Sequence, residues 1–256
     1  MENKPGKRFD VILFDLGNTL LYFNGIWDQV FAEMDAALLH SLKASGYELG
    51  GGMTDQDFIR QMEARFEEFD AQKSGEFLEF STAFILRNLF DEIGLTEIPE
   101  AILRKAIRDM YTVSQLHWQP EADALPALQS LREQGYRMGL ISNAGDDQDV
   151  QTLIDKAGIR CYFDVILTSA AQGIRKPNPR IFYQALQHWG THPERAAMVG
   201  DTLGADILGA RNAGMYSVWI TRRASPNQPH QETIIPDGKV DALSELPSLF
   251  TTFSEI

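Results

Sequence analysis

Residues 9–20 read Phe-Asp-Val-Ile-Leu-Phe-Asp-Leu-Gly-Asn-Thr-Leu, and no other stretch limits the fold as strongly. A short apolar run rich in β-branched and aromatic side chains predicts a buried strand. The run stops at Asp15, and Gly17-Asn18 predicts a turn just beyond it. A carboxylate at the carboxyl end of a buried strand sits where open α/β sheets hold their ligands. Asp also ends strands and opens turns with no further role, so the meaning of Asp15 depends on what lies downstream.

Downstream the texture changes twice. Leu20-Leu21-Tyr22-Phe23-Asn24-Gly25 is an apolar exit from the turn. From Trp27, apolar residues take helical spacing through Val30, Phe31, Met34, Ala37, Leu38 and Leu42. Thr54 with Asp57 predicts a capping box opening a second helix through Phe58, Met62, Phe66 and Phe69. Further helices are predicted over 77–93 and 99–113, so the block from Trp27 reads as a helical bundle. After it, strands and helices alternate. Strands are predicted over 136–143, 163–167, 196–201 and 216–220. Helices are predicted over 121–134, 149–157, 179–189 and 206–213, with a loop over 222–239 and a last short helix over 240–250. Such alternation predicts a parallel sheet with right-handed crossovers. The helical block, residues 22–114, therefore interrupts an α/β core made of residues 1–21 and 115–256. Placed directly after a strand-end carboxylate, it reads as a lid.

Composition narrows the partners. The formal net charge of −13 argues against nucleic acid and against an anionic membrane, each of which needs a positive patch. Cys161 is the single cysteine, so no internal disulfide forms, and a reducing cytoplasm is the expected compartment. Neither a signal peptide nor a membrane-spanning run is evident. A small anionic molecule remains a suitable partner, and the protein is expected to be a monomer or a homodimer.

Polar groups recur at predicted strand ends and adjoining loops: Asp15, Ser142-Asn143, Lys176, and Asp201 with Asp206. In a parallel sheet the carboxyl ends of all strands lie along one edge, so these groups can converge. Clustered carboxylates suit a hard divalent cation, most simply Mg²⁺. A lysine with a hydroxyl and an amide suits an anion. Together they meet the needs of phosphoryl transfer, in which a carboxylate can itself attack phosphorus.

Asp15-Leu16-Gly17-Asn18-Thr19, Ile141-Ser142-Asn143, Lys176-Pro177, and Gly200-Asp201 with Asp206 and Ile207-Leu208-Gly209-Ala210 stand in that order along the chain. In order and placement they resemble the four motifs of the haloacid dehalogenase superfamily, in the branch with an α-helical C1 cap inserted after the first motif. The likeness spans nearly the whole chain. It implies a Rossmann-like core of strand order 5-4-1-2-3 with a helical cap. It implies Asp15 as nucleophile and Mg²⁺ ligand, the Gly17 backbone carbonyl and Asp201 as further ligands, and Asp206 in or beside the metal's coordination sphere. Ser142 would hydrogen-bond the transferring phosphoryl with Asn143 in support, and Lys176 would neutralise charge on both nucleophile and phosphoryl. The implied activity is that of a Mg²⁺-dependent phosphomonoester hydrolase acting on a small phosphometabolite through an aspartyl phosphate.

One position departs from that pattern. Most phosphatases of the family carry a second Asp two residues after the nucleophile, which protonates the leaving oxygen and later activates water. Here that residue is Gly17. Asp146, Asp147 or a cap residue is a candidate replacement, and Gly17→Asp is expected to raise turnover if protonation limits the rate. Two rival readings follow. A binding protein that keeps the fold and the metal would account for Gly17, whereas dehalogenation fits poorly with an Asp201 that is retained. The remaining features are read as structural. Gly50-Gly51-Gly52 has no strand before it and no lysine after it, so it is not a phosphate loop. His40, His117, His188, His192 and His230 lack metal-ligand spacing. Cys161 reads as structural, and Tyr22, Phe23 and Trp27 read mostly as cap packing.

Overall fold

A computed structural model describes residues 7–49, 52–95, 97–229 and 231–254. His230 and two of the glycines at 50–52 lie outside them. The core is a parallel sheet of six strands, β1 (Val11–Phe14), β4 (Arg137–Ser142), β5 (Val165–Thr168), β6 (Ala196–Gly200), β7 (Tyr216–Ile220) and β8 (Gly238–Val240). They are ordered β5-β4-β1-β6-β7-β8, and every pair is parallel. Counting only the five expected strands, this is the anticipated 5-4-1-2-3 order, extended by β8 at one edge. The sequence pattern divides residues 238–240 between a loop and a helix, because three residues are too few to show a period.

Each central strand buries both faces, as expected where helices cover both sides of a parallel sheet. Alternation sorts β1: Ile12 and Phe14 face one layer, Val11 and Leu13 the other. The first layer contains α5 (Ala124–Glu133), α6 (Asp147–Lys156) and α10 (Leu246–Thr251), which contribute Leu128, Leu131, Ile154 and Phe250. The second contains α8 (Pro179–Gln187) and α9 (Leu208–Ala213), contributing Ile181, Phe182, Ala185 and Ala210. Pro179 stands at the first turn of α8, where its missing N–H costs nothing, and Asn178 caps that helix through Arg180 N–H at 3.1 Å.

The helical block comprises α1 (Trp27–Ala44), α2 (Asp55–Glu76), α3 (Thr82–Glu92) and α4 (Glu100–Gln115) around a separate core that includes Leu38, Phe58, Leu86 and Ile107. The capping box is present: Thr54 Oγ1 accepts from Asp57 N–H, and Asp57 Oδ2 accepts from Thr54 N–H. The block joins the core through an antiparallel ribbon of β2 (Leu21–Phe23) and β3 (Trp118–Pro120), where the sequence predicts only an apolar turn exit over 20–25. The helix expected over 77–93 begins only at Thr82, capped by Ser81. Its predicted first turn is instead an extended link to the core: Glu79 N–H donates to Gly173 O, and Arg175 N–H to Phe77 O. A short helix, α7 (Ser169–Gln172), follows β5. Cys161 is exposed, contrary to its structural reading. Trp27 and Phe31 are 41% and 50% exposed; Trp27 stacks between Phe23 and Phe31 on the surface instead of filling the bundle. Among the described residues, no helix is long and apolar enough to cross a membrane.

Gly139 in β4 is required by close approach. A Cβ there would stand 2.8 Å from both Leu13 Cδ2 and Trp189 Cη2 and 2.9 Å from Val165 Cγ1. Gly139→Ala is therefore expected to destabilise the fold by about 1–3 kcal/mol, measured from the shift of a urea unfolding midpoint.

Candidate active site

The sheet register decides where the polar groups meet. Phe14 is in register with Leu140 on one side and Val199 on the other. Asp15, Ser142 and Asp201 thus emerge along one edge, and Asp15 N–H extends the ladder to Val199 O at 2.9 Å. Gly17-Asn18 turns the chain away, with Asn18 taking the left-handed conformation (φ 57°), which Asn tolerates well.

Lys176 arrives from the loop after α7 and is almost wholly buried. Its ammonium donates to Asp15 Oδ1 at 2.6 Å and to Ile141 O at 2.7 Å, and meets Asp206 Oδ1 in an ion-pair contact at 2.7 Å. Burial alone would pull the lysine pKa down, but Asp15 and Asp206 together hold it above the ordinary lysine range. The Asn143 amide clasps this loop at two points: its Nδ2 donates to Lys176 O at 3.0 Å, and its Oδ1 accepts from Lys176 N–H at 2.9 Å. In this arrangement Asn143 orients Lys176.

Asp206 lies in a π-helical turn, Leu203–Ile207, with Oδ2 accepting from Thr202 N–H at 2.9 Å. Such one-turn π segments recur at functional sites. Gly200 makes the arrangement possible, since a Cβ there would collide with the Asp206 carboxyl group. The Asp201 carbonyl accepts from Trp219 Nε1 at 2.9 Å and Gln228 Nε2 at 2.7 Å. Gln228 sits on the long loop after β7, where no local pattern marks it.

Asp15, Asp201 and Asp206 present carboxylate oxygens within 4.8 Å of one another, all buried. One ammonium against three carboxylates leaves a net charge of −2 when all are ionised. Burial, then repulsion from Asp15 and Asp206, pushes Asp201 up to about 8. Burial pushes Asp206 up as well, against the opposing charge of Lys176. An all-oxygen, doubly negative donor set fits a hard divalent cation such as Mg²⁺. Gly17 and Ser142 border the same cavity, of about 300 Å³, together with Trp118, Asp149 and Arg175.

A model of haloacid dehalogenase-like hydrolases matches residues 9–214. The chain belongs to this family. Among similar proteins, the glyceraldehyde 3-phosphate phosphatase of Methanopyrus kandleri is 27% identical over 92% of this chain and 94% of its own. The phosphoserine phosphatase of Thermus thermophilus is 35% identical over 63% of this chain and 62% of its own. Among solved structures, the 2-haloacid dehalogenase of Pseudomonas syringae pv. Tomato superposes with a TM-score of 0.67 at 22% identity, covering 96% of this chain and 99% of that one. That last likeness shows the shared fold.

Position 17 is where the family comparison matters most. A Cβ on Gly17 would stand 3.2 Å from Trp118 Cη2, so the indole of β3 covers the space an acid side chain would need. Sequence reading had no means of pairing these residues. Asp146 and Asp147, the replacement acids considered, are committed elsewhere: Asp146 caps α6, and Asp147 accepts from Thr168 Oγ1 at 2.7 Å. Neither borders the cavity that holds Asp15.

Two outcomes are expected. Gly17→Asp crowds Trp118 and lowers stability by about 1–3 kcal/mol without raising turnover, and adding Trp118→Ala relieves the loss, read from melting curves. Gly200→Ala displaces Asp206 and weakens Mg²⁺ binding about 10–100-fold by calorimetric titration, with the fold retained by circular dichroism.

Proposed function

We propose that this hydrolase is a Mg²⁺-dependent phosphomonoesterase that works through an aspartyl phosphate on Asp15, with a small phosphorylated metabolite as substrate. One observation carries the reading: Asp15, Asp201 and Asp206 converge around the buried ammonium of Lys176 at the floor of a cavity. The phosphatases among the relatives support it, as does the acidic pair Asp201 and Asp206, which a halide-displacing reaction does not require.

In this reading Lys176 holds Asp15 Oδ1, so the other carboxylate oxygen attacks phosphorus. The ester P–O bond breaks as the Asp15 O–P bond forms. Water then attacks the phosphorus, releasing phosphate and restoring Asp15. Ser142 lies at the cavity wall, placed to hydrogen-bond the transferring group. Asp15, Asp201, Asp206 and the Gly17 carbonyl would hold Mg²⁺, whose charge offsets that of the phosphoryl group. The block assigned to residues 22–114 serves as the cap and sets substrate choice.

The alternative, a protein that binds phosphorylated ligands without turnover, draws on the Trp118 ring that covers position 17. Hydrolysis of an aryl phosphate separates the two, because an aryl leaving group needs little protonation. Wild-type protein is expected to hydrolyse it with Mg²⁺ and to stop when a chelator removes the metal. Asp15→Asn is expected to lower the rate at least about 10³-fold. Equal rates in wild type and Asp15→Asn would leave only the binding role.

A further inference from the structure

An alkoxide leaves phosphorus slowly unless a proton reaches it as the bond breaks. Gly17 supplies no group for this, and a Cβ there would already stand 3.2 Å from Trp118 Cη2. We propose that Asp149, on the first turn of α6, is the acid and base of the reaction, protonating the leaving oxygen and then taking a proton from the hydrolytic water. The proposal rests on the phosphatase reading above.

The geometry supports it by position and by elimination. Asp149 borders the same cavity as Asp15 and Ser142. Of the ionisable side chains on that wall, Asp15, Asp201, Asp206 and Lys176 form the central cluster. Arg175 keeps a fixed charge and lies 3.7 Å from Glu79. Asp149 is the remaining acid. Its backbone is fixed by the Asp146 cap, at 3.0 Å. Asp149 Oδ1 accepts from Gln115 Nε2 at 2.8 Å, and Gln115 Oε1 accepts from Lys156 Nζ at 2.9 Å. Oδ2 has no hydrogen-bond partner among the described residues and is the atom available to exchange a proton. Gln115 is the last residue of α4, so the helical block itself orients this acid.

The surroundings set a matching proton affinity. Burial, with a smaller contribution from the Asp146 charge, pushes Asp149 up to about 7, against the opposing effects of the Gln115 hydrogen bond and Lys156. Groups on α4 beside it are Tyr111, kept neutral by burial, Arg104, paired with Asp146 at 3.5 Å, and Arg108, while Arg175 and Lys176 line the cavity that Asp149 borders. An acid of this strength is available in both forms at neutral pH.

The steps balance. As the Asp15 O–P bond forms and the ester P–O bond breaks, the Asp149 proton passes to the departing oxygen, giving an alcohol and an Asp149 carboxylate. Water then adds to phosphorus, its proton returns to Asp149, and the Asp15 carboxylate leaves.

The test compares an alkyl phosphate (glycerol phosphate) with an aryl phosphate (p-nitrophenyl phosphate) across pH, in full-length Mg²⁺-loaded protein. In wild type, alkyl-phosphate turnover is expected to fall above about pH 7, where Asp149 loses its proton. Asp149→Asn, nearly isosteric, is expected to lower alkyl turnover about 10²–10³-fold and to abolish that fall. With the aryl phosphate the same variant is expected to release a fast burst of phenol and then slow, because water attack on the phosphoenzyme lacks its base. Gln115→Ala, which removes a donor to the carboxylate, shifts the alkyl limb to higher pH. An aryl phosphate time course with no burst and an alkyl pH profile unchanged in Asp149→Asn would overturn the assignment, as would wild-type rates in that variant. A wild type inactive toward both phosphates would overturn the phosphatase reading itself.

Discussion

A single buried ammonium organises this molecule. Lys176 is held by Asp15 Oδ1, Asp206 Oδ1 and the Ile141 carbonyl, with contacts between 2.6 and 2.7 Å and almost no exposure to water. Desolvating such a charge is costly unless its partners lie this close. Those partners come from the end of β1, from β4 and from the turn after β6, far apart in sequence, so the sheet must assemble in the right order before the lysine can be buried. The same arrangement leaves the carboxylates in excess, which suits a cation.

The supporting elements follow from that need. Gly200 leaves space for the Asp206 carboxyl group, and the π-helical turn brings it back toward Thr202 N–H. Asn143 holds the Lys176 backbone by both ends of its amide. The helical block is tied to the core beside the site: Ser169 Oγ donates to the buried Glu79 at 2.8 Å, Thr82 N–H donates to Gly145 O at 2.8 Å, and Gln115 meets Asp149. Cap and core therefore share polar contacts, and one of them reaches Asp149 at the cavity wall.

Legibility followed element length and chemistry. The long helices showed their period, the Thr54–Asp57 box showed its start, and the buried strands were evident as β-branched runs. The sheet order agreed with the family likeness, and β8 was the one addition. Failures cluster where tertiary pairing overrides local pattern. The ribbon of β2 and β3 has three residues on each side, drawn together across almost a hundred residues of sequence. Phe77 and Glu79 look helical in sequence, but their backbone pairs with Gly173 and Arg175 of the core. Trp27 and Phe31 fit the apolar stripe of α1, yet Trp27 stacks on Phe23 and Phe31 on Trp27 at the surface, because periodicity marks a face without saying what covers it.

The sequence alone determined that Asp15, Ser142-Asn143, Lys176, and Asp201 with Asp206 stand at strand ends or in adjoining loops and can converge, because parallel topology places every carboxyl end on the same side. It also showed that position 17 lacks an acid. Only the tertiary structure decided what occupies that space, since the Gly17–Trp118 contact joins residues a hundred positions apart. Only it distinguished Asp149 from Asp146 and Asp147. Three acids within four residues look alike along a chain, and they separate only when a helix turns one toward the cavity and leaves the others to a cap and to Thr168.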